Sequence, residues 1–255
     1  MGIMDGKKGL IVGVANERSI AWGIAKVLAR EGAQLGFTYA MEVLEKRVRP
    51  LAEEVGSTFV HMMDVTSDKD MDNVFALTKE SFGTIDFLVH AVAFSDKNEL
   101  KGPYYNTSRS NFLSSMDVSV YSFTAMARRA ADLMPDGGAM LTLSFYGAKK
   151  VITNYNVMGV AKAALEASVR YLAVDMGSRN IRVNAISAGP VRTLASAGIS
   201  DFKEMLNLGA SKAPLGRNVT LDEIGNAGLY LLSDMSTGVT GEISFVDCGY
   251  NVTGV

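Results

Sequence analysis

The chain has 255 residues, enough for one large α/β domain with a well-buried core, and its 48% hydrophobic and 20% charged residues are an ordinary globular balance. A net charge of −2 supplies no global basic field, which argues against a nucleic-acid partner. The single cysteine, Cys248, cannot form an internal disulfide, so a reducing, cytoplasmic setting is the simplest reading. The opening "MGIMDGKKGLIVGVA" enters an apolar run too short for a membrane span and shows no signal-peptide pattern.

The first apolar run, "GLIVGVA" (9–15), predicts a strand that feeds a helix over 19–31. Their junction, "GVANERSIAWG", is not a G-x-G-x-x-G pattern, because its only glycines are Gly13 and Gly23. The physical requirements of a pyrophosphate site survive in it. Gly13 permits a sharp turn, Ala15 and Ser19 are small, and the helix start at Ser19–Ile20 offers free N–H groups to an anion. The same pattern also suits a tight strand-to-helix turn without a ligand. A strand over 33–39 and a helix over 41–55 follow. Ala40 and Met41 occupy the strand end where a 2′-phosphate needs a cation, and Lys46 and Arg47 come a turn or more later. That favours NADH over NADPH, although Arg18 in the first turn leaves NADPH open. The third strand, 58–65, carries Asp64 near its end. A carboxylate there suits an adenine amino group, with the Val65 N–H beside it; an aspartate that starts the next helix (69–82) fits equally well.

A strand over 85–93 precedes an irregular stretch, 94–108, and then a long helix over 109–134. The next strand, 139–145, leads to a helix over 154–178 and a strand over 181–187. A second irregular stretch, 188–219, precedes a helix over 221–233, which Thr220 and Glu223 suit as a capping box. The last strand spans 242–247. Near-continuous apolar strands imply a sheet buried on both faces. Their alternation with helices implies one doubly wound parallel α/β sheet of about seven strands, a single Rossmann-type domain over 1–255. Both irregular stretches follow strand ends, where such sheets bind ligands. His61 and His90 fall in strand patterns away from any ligand cluster, so they read as packed imidazoles and no metal is expected.

The stretch "YNVMGVAK" joins Tyr155 to Lys162. Seven positions is nearly two helical turns, which places both on one face. A tyrosine at the position of Met158 would stand one turn closer to the lysine, and a thioether cannot donate a proton. The longer spacing displaces the phenol by roughly 5 Å along the axis, while Lys162 stays where it binds a nicotinamide ribose. In ketone reduction the oxygen sits on the carbon that receives hydride. In reduction of an α,β-unsaturated thioester, charge develops on an oxygen three bonds away, so a displaced donor fits conjugate reduction better. Two rivals remain: a short-chain carbonyl reductase, and a nicotinamide-sensing regulator without turnover, which has no need of the Tyr155–Lys162 pair. Tyr155 as a half-buried packing residue is the bland alternative.

Together "GVANERSIAWG", "FTY", "MDV", "LSFYGA", "NYNVMGVAKAALEASVRYLA" and "RVNAISAGPVRTLAS" closely resemble the bacterial enoyl-acyl-carrier-protein reductases, a divergent branch of the short-chain dehydrogenase/reductase family. The resemblance runs in order along nearly the whole chain. It implies a Rossmann-type homotetramer that uses NADH for the last reductive step of fatty-acid elongation, on a trans-2-enoyl group carried by acyl carrier protein. By position it implies Tyr155 as the hydroxyl on the enolate oxygen, Lys162 as the ribose-binding lysine and Tyr146 as a second tyrosine on the substrate side. It further implies cofactor contacts from Gly13, Ala15, Ser19, Ile20, Asp64, Val65, Ala91, Val92, Ile186, Pro190 and Thr193, with a mobile lid near 193–210. Four departures stand out: Ala91 and Ala93 replace a serine and a glycine, "VDCGY" replaces "VDGG", and Glu204 lies beside Lys203 in the lid. An acidic carrier protein prefers basic neighbours, so docking through Arg192, Lys212 and Arg217 is the alternative to the lid.

Overall fold

The computed structural model describes residues 2–194, 196 and 202–253. Seven strands form one all-parallel sheet: β1 Lys8–Val12, β2 Gln34–Tyr39, β3 Val60–Met62, β4 Phe87–His90, β5 Gly138–Phe145, β6 Ile181–Ala188 and β7 Ile243–Val246. The order is β3-β2-β1-β4-β5-β6-β7. Chain direction across the sheet therefore reverses between β1 and β4, and a crevice opens beyond their carboxyl ends at that point.

The strands read as unbroken apolar runs because both faces are covered. In β1, Ile11 packs with Ile24 and Leu28 of α1 (Ile20–Arg30), Val48 of α2 (Glu45–Glu54) and Ile224 of α8 (Leu221–Leu232). Its neighbours Leu10 and Val12 face the opposite way. They join Met71 of α3 (Asp68–Phe82), Phe123 of α5 (Ser122–Ala131) and Leu165 of α6 (Asn156–Gly177). The capping box forms as its sequence predicts: Thr220 Oγ1 accepts the Glu223 N–H at 3.2 Å, and Glu223 Oε2 accepts the Thr220 N–H at 2.9 Å.

The sequence expectations differ from the structure in four places. The run 58–65 yields only three strand residues, because β3 is an edge strand paired on one side, so Asp64 lies two residues past its end. The expected helix over 109–134 is α4 (Arg109–Met116) joined to α5 through a π-helical turn at Asp117–Tyr121. The stretch 188–219 contains a helix, α7 (Phe202–Lys212). Tyr155 stands just outside α6, at its N-cap. Among the described residues no helix is long and apolar enough to cross a membrane, and no cluster of side chains suits a metal ion.

Candidate active site

The crevice between β1 and β4 is built from backbone. Gly13 has φ +101°, and a Cβ there would lie 2.3 Å from the Ala91 carbonyl oxygen. Only glycine lets the two strand ends approach so closely. The Ala91 N–H donates to Val12 O at 2.9 Å, which fixes Ala91 and Val92 opposite the turn. Ser19 is the N-cap of α1 but does not cap it. Its hydroxyl accepts instead from the Ala15 N–H at 3.0 Å and the Asn16 N–H at 3.1 Å. The turn is held rigid and the amides that open α1 at Ile20 keep no side-chain acceptor, an arrangement that suits a pyrophosphate. Asp64 is exposed. One of its oxygens closes a turn on the Thr66 N–H and hydroxyl at 2.9 and 2.8 Å, and Ser67 rather than Asp64 caps α3. Arg18, in the turn after β1, is paired with its neighbour Glu17, and Arg49 of α2 with Glu45.

Beyond β4, β5 and β6 lie Tyr155 and Lys162. Asn154 and Asn156 flank Tyr155 with φ of 60° and 36°. Asparagine tolerates this left-handed backbone better than other non-glycine residues, so the "NYN" sequence turns the tyrosine inward before α6 begins. The phenol ring packs edge-on against Phe145, centroids 5.0 Å apart, and a Cβ on Gly147 would lie 2.5 Å from it. Leu100, Val157 and Met158 complete an apolar pocket around it. Burial raises the Tyr155 pKa above its ordinary value, which keeps the hydroxyl a proton donor. Lys162 is also buried. Its Nζ donates to Leu143 O at 2.7 Å, and burial lowers its pKa to about 8.

The π-helical turn places Ser119 against the loop after β4. Its hydroxyl accepts from the Phe94 N–H at 3.1 Å, lies 3.3 Å from Phe94 O, and stands 3.9 Å from Met158 Sδ. Asn156 Nδ2 donates to Glu99 O and Gly102 O at 3.3 and 3.1 Å, tying the same irregular stretch to α6. A family model for enoyl-(acyl carrier protein) reductase matches residues 13–251. The chain is 59% identical over its whole length to enoyl-[acyl-carrier-protein] reductase [NADH] 1 of Rhizobium meliloti (strain 1021), covering 93% of that protein. It is 58% identical to the FabI enoyl reductase [NADH] of Rickettsia typhi, with 99% of this chain and 97% of that one aligned. The crystal structure of the Anaplasma phagocytophilum enoyl reductase in complex with NAD superposes with a TM-score of 0.96 at 59% identity, covering 100% of this chain and 97% of that one.

The chain belongs to the enoyl-acyl-carrier-protein reductase family. Two site expectations nevertheless change within this enoyl reductase fold. Tyr146 does not face the pocket: its hydroxyl donates to Asn251 O at 3.3 Å and its ring meets Phe245 and Tyr250 edge-on. It lies past the end of β5, in a 3-10 turn that swings it toward the chain's C-terminal turn, and Phe145 is the ring that meets Tyr155. Ile186 is fully buried inside β6 against α1 and α8 and presents no side-chain surface to a ligand. Val191, just past Gly189 and Pro190, is half-buried at that strand end.

The remaining expected positions line the carboxyl end of the sheet. Pro190 is buried beside Gly209 of α7, and Val65 is buried behind Asp64. Thr193 closes a small turn, its N–H donating to Ser196 Oγ at 2.9 Å and its hydroxyl accepting the Ser196 N–H at 3.1 Å. The lid expected near 193–210 falls partly outside the described residues. His90 and His61 are packed imidazoles. His90 sits between Thr142 Oγ1 and Ser122 Oγ at 2.8 and 2.9 Å, and its pKa is pushed to about 3 by burial and then by Lys162; His61 meets the Phe59 ring edge-on. Ser119 and Phe145 were not legible in the sequence, because neither residue type signals chemistry and only the folded chain brings Phe145 to Tyr155 and Ser119 to Met158.

Proposed function

We propose that the protein is the NADH-dependent enoyl-[acyl-carrier-protein] reductase that saturates the trans-2 double bond of enoyl thioesters, the last step of each fatty-acid elongation cycle. The observation that carries this reading is the Tyr155–Lys162 pair. It sits at the carboxyl end of the sheet, Tyr155 packed against Met158 and Lys162 buried further along α6, in a chain of this family.

The crevice fits NADH in its own terms: a glycine turn that a Cβ would fill, uncapped amides at the start of α1, and Ala40 and Met41 at the end of β2 where a 2′-phosphate needs a cation. Gly13, Ala15, Ser19 and Ile20 would hold the pyrophosphate side. Asp64 and Val65 would hold the adenine, while Ala91, Val92, Lys162, Pro190 and Thr193 would line the nicotinamide half. Bound NADH supplies hydride equivalents to the β-carbon. Lys162 fixes the ribose with the two ammonium protons that Leu143 O leaves free. Tyr155, neutral in its apolar pocket, donates a hydrogen bond to the thioester oxygen as negative charge gathers there. Phe145, Leu100 and Met158 exclude water from that bond, which strengthens it. The enzyme works in the cytoplasm as a homotetramer, and the self-association is supported by exposed apolar side chains on packed helices, with Tyr171 and Val174 of α6 76% and 81% exposed.

The deciding experiment follows NADH oxidation with crotonyl thioester and with acetoacetyl thioester, and traces deuterium from labelled NADH. The label is expected at C3 of the saturated product. Label at C2, or faster turnover of the acetoacetyl compound, would overturn the reading.

A further inference from the structure

Glu166 lies on the inner face of α6 with 3% of its surface exposed, and the chemistry above makes no use of it. A buried carboxylate is costly unless it is paired and hydrogen-bonded. Two groups hold this one. Ser144 Oγ donates to Oε1 at 2.7 Å, and the half-exposed Lys149 Nζ stands 3.6 Å from Oε2.

Glu166 also follows Lys162 by four residues, one helical turn along the same face. The two heads reach consecutive residues of β5: Lys162 Nζ donates to Leu143 O and Glu166 accepts from Ser144 Oγ. Opposite charges are therefore held near one strand end in a water-poor interior, with no direct ion pair between them, where their attraction is weakly screened. We propose that Glu166 is a positioning residue: clamped by Ser144 and Lys149, it is the buried counter-charge that keeps Lys162 protonated for cofactor binding. This rests on Lys162 being the ribose-binding lysine, but its first test below needs no cofactor.

Burial drives the ammonium toward its neutral form and Glu166 opposes that drive, with a net value of about 8. The other groups around Lys162 leave Glu166 as its counter-charge. His90 from β4 is neutral, since burial pushes it to about 3. Tyr155 at the start of α6 is held neutral by burial. Lys149, in the turn after β5, is a second cation, and it pairs with Glu166 rather than with an acid of its own.

The test titrates Lys162 directly in the cofactor-free protein by NMR of 13C-labelled lysine, its resonance assigned by its loss in K162M. The parent midpoint is expected near pH 8. In E166Q, which keeps the hydrogen-bond acceptor for Ser144, it should fall by about one to three pH units, the usual effect of one close opposite charge. In K149M it should rise, because a competing cation is gone while Glu166 stays. NADH affinity measured by fluorescence should follow: weakened in E166Q at pH 8, restored below the new midpoint. An unmoved midpoint in E166Q, or E166Q and K149M moving the same way, would overturn the proposal. If E166Q does not fold, K149M decides, and a midpoint that stays or falls refutes it. Expected titrations without any enoyl reduction would support the counter-charge and refute the function proposed above.

Discussion

At the scale of single residues, the site separates three tyrosine-like roles that the sequence places side by side. Tyr155 is the buried phenol, Phe145 is the ring against it, and Tyr146 faces the C-terminal turn. Tyr155→Phe is expected to lower kcat by roughly 10²–10³, the usual loss for one donor to a developing oxyanion, with NADH affinity nearly intact. Tyr146→Phe is expected to leave kcat near the parent value. Steady-state kinetics and cofactor fluorescence measure both, and a large kcat loss in Tyr146→Phe would return that residue to the pocket. Lys162 gives a prediction in pH. Its folded pKa of about 8 lies below its ordinary 10.5. Between these values the unfolded chain binds more protons at this position than the folded one. Its contribution therefore makes the cofactor-free protein more stable as pH rises through that window. Denaturant unfolding from pH 8 to 10 is expected to show this slope in the parent and a smaller slope in K162M.

At the scale of elements, local signals set the helix starts and long-range packing set the irregular pieces. The α8 cap is local: Thr220 and Glu223 exchange hydrogen bonds, and Arg217 pairs with Glu223 at 2.6 Å. Thr220→Ala is expected to cost about 1 kcal/mol of stability. Arg217, then the Thr220 N–H, holds the Glu223 carboxyl at about 2 against an ordinary 4.5. Its contribution is fully present above pH 4.5 and fades as pH falls toward 2. Urea midpoints for E223Q and the parent are expected to differ at pH 6 and to converge toward pH 2. The π-helical turn, in contrast, answers to a distant partner. Its extra residue per turn aims Ser119 at the Phe94 backbone, 25 positions away. Periodicity in 109–134 gives no sign of it.

At the scale of the molecule, the parallel sheet is a scaffold whose topology makes the site. Seven strands with β1 and β4 side by side bring Gly13 to Ala91 and so open the cofactor crevice. The outer surface carries a different instruction. Tyr171 and Val174 on α6 are among the most exposed large apolar side chains, with Leu113 and Tyr121 exposed along the α4–α5 helix. Self-association is expected to cover them. Sedimentation is expected to find a tetramer, and Tyr171→Glu with Val174→Glu a smaller species. A monomeric parent would remove the assembly from the reading.

The apolar strand runs, the capping box and the Tyr155–Lys162 spacing were determined by the sequence itself, because each depends on neighbours within a few turns of chain. Alternation alone was enough to predict the doubly wound sheet, since right-handed crossovers leave few other ways to bury strands on both faces. The tertiary structure decided what depends on distant contacts. It turned Tyr146 away from the pocket toward Asn251, sealed Ile186 within the sheet, set Tyr155 before α6 rather than within it, and shortened β3 at the sheet edge. It alone brought Glu166, Ser144 and Lys149 together, because a carboxylate on a helix and a hydroxyl 22 positions earlier on a strand meet only when helix and sheet have packed.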